Sequence, residues 1–198
     1  ARRYIALCKQ ANTAKMKGLK GKTAIVTGAS SGIGQAIAIR LAQEGCHIAI
    51  NYRSDLEGAQ TTETEALSRA RAAGQDIQTL IVQADVSQVD DIIALMTKVC
   101  ETWGTLDMLI NNAGIQTETP SHEVATDDFD KVIDVNLRGS YLCAREAIQQ
   151  ILQQAKPGVI INVSSVHEVI PRPQYISYSI SKGGMGNMTR TLALEYAK

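Results

Sequence analysis

Short apolar runs alternate with longer amphipathic segments along most of this chain of 198 residues. The pattern predicts β-strands over about 23–27, 47–52, 78–83, 106–110 and 158–163. It predicts helices over about 33–44, 56–73, 90–102, 127–152 and 177–197. Strands that alternate with helices of this length form parallel, right-handed βαβ crossovers. The sequence therefore predicts an α/β fold, a doubly wound, Rossmann-like parallel sheet with strand order 3-2-1-4-5.

A glycine-rich turn connects the first predicted strand to the first predicted helix. Residues 28–34 read Gly-Ala-Ser-Ser-Gly-Ile-Gly. Gly28 suits a tight turn, Gly32 lets a pyrophosphate approach the backbone, and Gly34 permits close packing of helix and strand. The helix N-terminus would offer free N–H groups and a positive dipole end to phosphates. The turn predicts a dinucleotide site; the alternative is a Gly/Ser loop without a ligand.

Tyr178 and Lys182 lie four residues apart in a predicted helix, and Ser165 lies thirteen residues before Tyr178. Residues at i and i+4 share one helix face, so an ammonium would lie beside a phenol. A nearby positive charge favours the ionised form of a phenol and moves its pKa toward neutrality. Proton transfer is most effective there, so the pair predicts an acid or base. The alternative is a tyrosine that only stacks on a lysine stem.

The chain resembles the short-chain dehydrogenase/reductase family over roughly residues 17 to 198. Its cofactor loop is similar to residues 27–34 of this sequence. Four further segments match in order: Asp85-Val86, Asn111-Asn112-Ala113-Gly114, Asn136, and Ser165 with the Tyr178 and Lys182 pair. Residues 51–54, 164–173 and 181–185 are most similar to bacterial glucose 1-dehydrogenases.

The resemblance implies an oxidoreductase that moves hydride between a nicotinamide and an alcohol or carbonyl carbon. Tyr178 would give or take the proton, and Lys182 would lower its pKa and bind the nicotinamide ribose. Ser165 would hold the substrate oxygen, and Asn136 would position a water that links Lys182 to solvent. The alternatives are a strand-end turn residue for Ser165 and a helix amide bonded to backbone for Asn136.

The resemblance also implies where the cofactor binds. The contacts would come from Gly28, Ser31, Gly32, Ile33 and Gly34 at the phosphates, Asp85 and Val86 at the adenine, and Asn112, Ala113 and Gly114 at the ribose, with Tyr178 and Lys182. An acid at the end of the second strand would favour NAD. This chain has Arg53 and Ser54 there instead. Arg53 could pair with a 2′-phosphate, which favours NADP with NAD possible, or it could be a solvated loop charge.

The substrate residues are the least constrained by motif. The candidates are Ser165, His167, Gln116 and Tyr178. His167 and Glu168 could bind sugar hydroxyls or belong to a loop bonded to its own backbone, and Gln116 stands where the sugar enzymes often carry an acid. The sequence favours a sugar such as glucose. The alternatives are a 3-oxoacyl-carrier-protein reductase and a truncated nucleotide-binding protein without turnover.

Charge and composition argue against several other classes. Lys plus Arg and Asp plus Glu number 20 each, so no net charge favours nucleic acid or a membrane as partner. No apolar stretch has the length of a membrane span. The 4 cysteines and 3 histidines lack paired ligand spacing, which argues against a metal site. Scattered cysteines suit a reducing cytosol, so we expect a cytoplasmic protein.

We expect a single domain over 16–198, after an upstream, disordered extension over 1–15. The family usually continues past the helix that bears the tyrosine and lysine, and this continuation supplies more strands, a substrate lid and part of the oligomer contact. The resemblance therefore implies a truncated chain whose sheet is incomplete at its C-terminal edge. It also implies a homo-oligomer, a tetramer, formed through the helices near 127–152 and 177–197.

Overall fold

A single parallel sheet forms the centre of the computed structural model, which describes residues 18–196. The predicted extension over 1–15 lies outside the described residues. Five strands pair in the order β3-β2-β1-β4-β5. They are β1 Thr23–Val26, β2 His47–Tyr52, β3 Thr79–Gln83, β4 Met108–Asn111 and β5 Val159–Asn162. The predicted Rossmann-like fold and strand order are confirmed.

Helices connect the strands and cover both faces of the sheet. The α-helices are α1 Gly32–Gln43, α2 Leu56–Ala72, α3 Val89–Trp103, α4 Thr126–Ile133, α5 Ser140–Gln154 and α6 Ile176–Tyr196. The predicted helix over 127–152 is present, but a π-helical segment, Asp134–Gly139, lies between α4 and α5. A short 3₁₀-helix, Val166–Glu168, precedes α6. Periodicity could not reveal the π-helix, since one wider turn barely changes the spacing of apolar residues.

Alternate residues of β1 supply the two apolar layers of the core. Ala24 and Val26 pack in the layer that contains buried alanines of α1 and α2. Ile25 packs on the opposite face, with apolar side chains of α3 and α5. All residues of β1 and β4 are buried, as expected for central strands of a parallel sheet covered on both faces.

The strand β5 is less covered than the central strands. Within residues 18–196 it pairs only with β4. Val159 and Ile161 are 50% and 48% exposed. The prediction of an outer edge at the fifth strand therefore agrees with the sheet as described.

The register of the central strands brings three connecting segments to one edge of the sheet. Val26 of β1 lies opposite Ile110 of β4, and Asn111 lies opposite Asn162 of β5. Because the strands are parallel, the segments that follow β1, β4 and β5 leave from the same carboxyl edge. Ligands of doubly wound sheets bind at this edge, where the strand order reverses.

Three further properties concern the 18–196 region. No helix there is long and apolar enough to cross a membrane. No group of three or more His, Cys, Asp or Glu side chains in this region could hold a metal ion. Its cysteines, Cys46, Cys100 and Cys143, are free thiols.

Candidate active site

The glycine turn after β1 is tied directly to the turn after β4. Gly28 has a φ of 62°, and a Cβ at this position would lie 2.9 Å from the Cα of Ala113. The side chain of Asn112 donates to the carbonyls of Thr27 and Gly28, at 2.9 and 3.1 Å. The Thr27 hydroxyl accepts from the backbone N–H groups of Asn112 and Ala113, both at 3.0 Å. The two predicted cofactor segments therefore form one rigid unit.

Asn51 holds the same turn from the other side. Its Oδ1 accepts from the backbone N–H of Gly28 at 3.2 Å, and its Nδ2 donates to the carbonyl of Ala84 at 3.0 Å. Asn51, a buried residue of β2, therefore links the segments that follow β1 and β3 through one amide. Thr27 and Asn51 were absent from the predicted site. The available signal for Asn51 is a polar residue within an apolar strand, which needs hydrogen-bond partners once it is buried.

The N-terminus of α1 is open and carries no balancing acid. The first turns of α2, α3 and α4 contain acidic residues, whereas those of α1, α5 and α6 contain none. Ser31 precedes α1 but does not cap it with its side chain. Gly32 has a φ of 58°, and a Cβ there would meet nothing within 4 Å. The positive end of α1 thus faces open space, which suits an anionic group.

A cleft of about 510 Å³ lies in front of this helix end. Gly34 lies beneath it, since a Cβ there would overlap with the Gly28 carbonyl and the Asn112 amide. The predicted cofactor residues that line the cleft are Gly28, Ser31, Gly32, Ile33, Arg53, Ser54, Asp85, Val86, Asn112, Ala113 and Gly114. The structure brings these residues together, although the sequence spreads them over four connections.

At the far end of the cleft, the Arg53 side chain is exposed and the neighbouring acids are engaged. Gln83 donates to the Arg53 carbonyl at 2.9 Å, which fixes the backbone of this residue. The carboxylate of Asp55 caps α2 by accepting from the N–H of Gly58 at 2.9 Å. The carboxylate of Asp85 accepts from the N–H and hydroxyl of Ser87, at 2.9 and 2.8 Å.

Tyr178 and Lys182 lie one turn apart on α6, as the spacing predicted. The Nζ of Lys182 is 5.6 Å from the centre of the Tyr178 ring and donates to the carbonyl of Val163 at 2.7 Å. Val163 directly follows β5, so this bond joins α6 to the carboxyl edge of the sheet. Lys182 is 4% exposed, and burial lowers its pKa to about 8.

The two adjacent serines after β5 make different contacts. The hydroxyl of Ser164 donates to Oε2 of Glu168 at 2.7 Å. The hydroxyl oxygen of Ser165 accepts from the N–H of His167 at 3.2 Å, and it caps the 3₁₀-helix. Within residues 18–196, the Ser165 hydroxyl donates its own proton to no other group. Glu168, one of the residues considered for sugar binding, is turned toward Ser164 instead.

His167 packs between two tyrosine rings beside Ser165. Its ring centre lies 5.4 Å from that of Tyr178 and 5.5 Å from that of Tyr175, both edge to face. Its Nδ1 is buried and has no hydrogen-bond partner among residues 18–196. Tyr175 donates to the carboxylate of Glu118 at 2.6 Å. This bond fastens the loop after β4 to the start of α6, and sequence reasoning missed both partners.

Asn136 holds the loop after β4 by hydrogen bonds, and Gln116 is a residue of that loop. Asn136 is buried in the π-helix and exchanges two hydrogen bonds of 2.8 Å with the backbone of Ile115. Its Nδ2 also donates to the hydroxyl of Ser181 at 3.1 Å, next to Lys182. Gln116 is exposed in the loop that follows Gly114. Asn136 therefore links the loop after β4 to the helix that carries Lys182, and its role toward water stays a prediction.

The sequence matches one family over most of its length. Residues 22–198 match the family described as short chain dehydrogenase. The chain belongs to this family. It is 46% identical over 179 residues to 3beta-hydroxysteroid dehydrogenase 1 of Eggerthella lenta, which covers 90% of this chain and 66% of that protein. It is 44% identical over 183 residues to glucose 1-dehydrogenase 2 of Bacillus subtilis, with coverages of 91% and 68%.

Solved structures show the same likeness. The crystal structure of levodione reductase superposes with a TM-score of 0.84 and 31% sequence identity. The match covers 90% of this chain and 67% of that chain. This short chain dehydrogenase thus spans about two thirds of the length of the relatives that it matches.

Proposed function

We propose that the protein is an NADP-preferring oxidoreductase that transfers hydride between the cofactor and an alcohol or carbonyl carbon. The proposal depends on one observation. The Tyr178 phenol lies beside the Lys182 ammonium, and a bond from Lys182 to Val163 fixes both at the edge where the glycine turn opens. Its membership of the short chain dehydrogenase family supports the reaction class.

The residues of the cleft fit a dinucleotide. The open positive end of α1 and the bare backbone at Gly32 would hold the pyrophosphate. Asp85 and Val86 would flank the adenine, and the turn with Ala113 and Gly114 would pass beside the ribose. When bound, the nicotinamide supplies or accepts the hydride, and the protein supplies orientation and proton transfer.

Two side chains would act on the substrate oxygen, and Lys182 would support them. The Ser165 hydroxyl, whose proton is free, would donate a hydrogen bond that orients this oxygen. Tyr178 would give it a proton when a carbonyl is reduced and take one when an alcohol is oxidised. The Lys182 ammonium, whose pKa burial lowers to about 8, would bind the nicotinamide ribose beside Tyr178.

Arg53 supports the preference for NADP. Its guanidinium is exposed at the cleft, and a fork of N–H donors suits a 2′-phosphate. The nearest acid in sequence, Asp55, is engaged as the cap of α2. The segment 53–55 therefore has no free acid that could accept both ribose hydroxyls, as a preference for NAD would require.

For the substrate we favour a sugar such as glucose, because the segments around Arg53 and His167 are similar to those of glucose 1-dehydrogenases. A second candidate is an alcohol on an apolar skeleton, such as a 3β-hydroxysteroid. The exposed apolar side chains beside the 3₁₀-helix favour it, since Val166, Val169 and Ile170 are 64%, 80% and 65% exposed. Reduction of a 3-oxoacyl thioester stays the third prediction.

Initial rates with each substrate class test the proposal. The purified chain is incubated with glucose, a 3β-hydroxysteroid or an acetoacetyl thioester, each with the matching oxidised or reduced form of NADP and of NAD. We expect turnover with glucose and NADP⁺, read as absorbance of the reduced nicotinamide. Turnover only with the steroid or the thioester would replace the sugar assignment. Cofactor binding without hydride transfer to any substrate would make the chain a nucleotide-binding protein.

The cellular setting is part of the same proposal. The free thiols Cys46, Cys100 and Cys143 support a reducing compartment, the cytoplasm. The exposed faces of α5 and α6, with Tyr141 and Leu194 45% and 83% exposed, support a homo-oligomer, for which we propose a tetramer. Light scattering of the purified chain would measure its state.

A further inference from the structure

We propose that Glu168 is a positioning residue, which fastens the segment carrying Ser165 to the helix carrying Tyr178 and Lys182. This inference rests on the proposed function, because it concerns the geometry of the same site. Glu168 ends the 3₁₀-helix that Ser165 caps, three residues along the chain. Its carboxylate points onto α6.

The Glu168 carboxylate has three neighbours, which place it between the loop and the helix. Its Oε2 accepts from the hydroxyl of Ser164 at 2.7 Å. Its Oε1 lies 3.5 Å from a guanidinium nitrogen of Arg190. A Cβ on Gly186 would overlap with the carboxylate, so only a glycine lets the carboxylate rest on the helix backbone here. The Glu168 side chain is 22% exposed and is therefore mostly enclosed by these groups.

The contacts fall on the same ridge of α6 as the proposed catalytic residues. Tyr178, Lys182, Gly186 and Arg190 follow one another at steps of four residues. Side chains at such steps are neighbours on a helix surface. Glu168 thus contacts the ridge one and two turns beyond Lys182, and a shift of the loop along α6 would break these contacts.

Backbone hydrogen bonds transmit this anchoring to Ser165. The N–H of Glu168 donates to the carbonyl of Ser165 at 3.0 Å, and the N–H of His167 donates to its hydroxyl at 3.2 Å. Ser164, the other neighbour of Ser165, is held by the Glu168 carboxylate itself. With the residues before and after it fixed to α6, Ser165 keeps one position relative to the Tyr178 hydroxyl.

Kinetic constants of Glu168 variants test the inference. We expect Glu168→Ala to lower kcat by about 10- to 100-fold, because displacement of a substrate-orienting group by about 1 Å has costs of this order. The affinity for NADPH, measured by fluorescence titration, should change less than about twofold, since Glu168 does not line the cleft. Glu168→Gln keeps an acceptor for Ser164 and should retain kcat within about fivefold, because the exposed pair with Arg190 contributes little. The matched control is Glu195→Ala, which removes an exposed acid of α6.

Gly186 offers a double-mutant cycle that a general loss of stability would not reproduce. Gly186→Ala places a methyl group where the carboxylate lies, so it should lower kcat by about tenfold or more in the wild-type background. In the Glu168→Ala background the carboxylate is absent, and the same change should have no further effect. Losses that multiply in the double variant would overturn the inference.

A readout without substrate separates this inference from the proposed function. Protein labelled with ¹³C-histidine reports the ring of His167, which senses the ring currents of Tyr175 and Tyr178; the signal is assigned through His167→Gln. We expect the chemical shift of the His167 ring to change in Glu168→Ala and to remain unchanged in Glu168→Gln and Glu195→Ala. A wild-type chain that never transfers hydride would contradict the proposed function. An active wild type with an unmoved signal and unchanged kcat in Glu168→Ala would contradict the positioning role alone.

Discussion

The Lys182 ammonium lies 5.6 Å from the centre of the Tyr178 ring, while it donates a hydrogen bond to the carbonyl that follows β5. The helix thereby presents a phenol and a cation to one side and is anchored to the sheet by the same cation. A surface lysine would offer neither the fixed position nor the desolvated charge. This arrangement makes the protonation of Lys182 a property that stability measurements can detect.

The stability of the protein should therefore depend on the titration of Lys182. Burial lowers its pKa from 10.5 to about 8, so between these values the unfolded state binds this proton and the folded state does not. The free energy of unfolding should rise with pH in this window, by about 3 kcal/mol from this group. Urea denaturation at several pH values, for wild type and Lys182→Met, measures it.

The difference between the two proteins isolates the lysine. Burial raises the pKa of Cys46 and of Cys143 to about 12, and these thiols act in the opposite direction above a pH of about 9. They are present in both proteins and cancel in the subtraction. A difference between wild type and Lys182→Met that stays flat from about pH 8 to pH 10.5 would contradict the buried charge.

Asp107 should provide stability that is lost in acid. Burial acts to raise the pKa of this carboxyl, but hydrogen bonds from Lys22 and Thr23 outweigh it, so the pKa is lowered from 3.8. A lowered pKa contributes stability above the unfolded value, which is lost as the pH falls through the folded value. We expect Asp107→Asn to cost about 1–3 kcal/mol at neutral pH and progressively less in acid. Asp76 is exposed, so Asp76→Asn should change neither the free energy of unfolding nor its dependence on pH. Equal unfolding curves for the two variants would refute the assignment to Asp107.

Gly28 should tolerate substitution less well than Gly104, a glycine that also has a positive φ. Gly28 and Gly104 have φ values of 62° and 68°, so alanine strains both by about 1–2 kcal/mol. Only at Gly28 would a Cβ lie 2.9 Å from the backbone of Ala113, whereas at Gly104 it meets nothing within 4 Å. We expect Gly28→Ala to lower the free energy of unfolding, measured without cofactor, by at least about 1 kcal/mol more than Gly104→Ala. Equal losses would mean that the two turns are not packed together.

The sequence predicted the fold and most of the candidate site because both depend on local patterns. Strand and helix lengths determine the crossovers, and the glycine spacing in 28–34 depends on one turn. The bonds that join separate connections could not be predicted this way. Asn51 reaches the glycine turn from the neighbouring strand β2, and Tyr175 reaches Glu118 across 57 residues of sequence. Such pairs depend on tertiary placement, which periodicity does not contain.

Glu168 illustrates the same limit. In the sequence it is a polar residue beside a candidate catalytic serine, which suggests a substrate ligand. In the structure its carboxylate lies against Gly186, a residue eighteen positions away. The direction of a side chain in an irregular loop depends on what packs against it. The motif around Ser165 does not predict that Gly186 packs against Glu168.

Arg53 should determine the choice between the two dinucleotides. Removal of its guanidinium in Arg53→Ala should weaken NADPH binding by about tenfold or more, since charged hydrogen bonds contribute about 1.5–3 kcal/mol. The affinity for NADH, which has no 2′-phosphate, should fall by less than about twofold. Arg71→Ala, another exposed arginine, is the control. Parallel losses for both nucleotides, measured by fluorescence titration, would show that Arg53 does not read the phosphate.

The most direct test of the central claim is the rate of hydride transfer by Tyr178→Phe, which removes one hydroxyl and keeps the ring against His167. We predict that kcat falls by at least about 100-fold, the contribution of a positioned acid or base, while the affinity for NADPH changes less than about twofold. Tyr196→Phe, an exposed tyrosine at the end of the same helix, should keep the wild-type rate. A Tyr178→Phe protein with kcat within tenfold of wild type would contradict the assignment of Tyr178 as the proton donor.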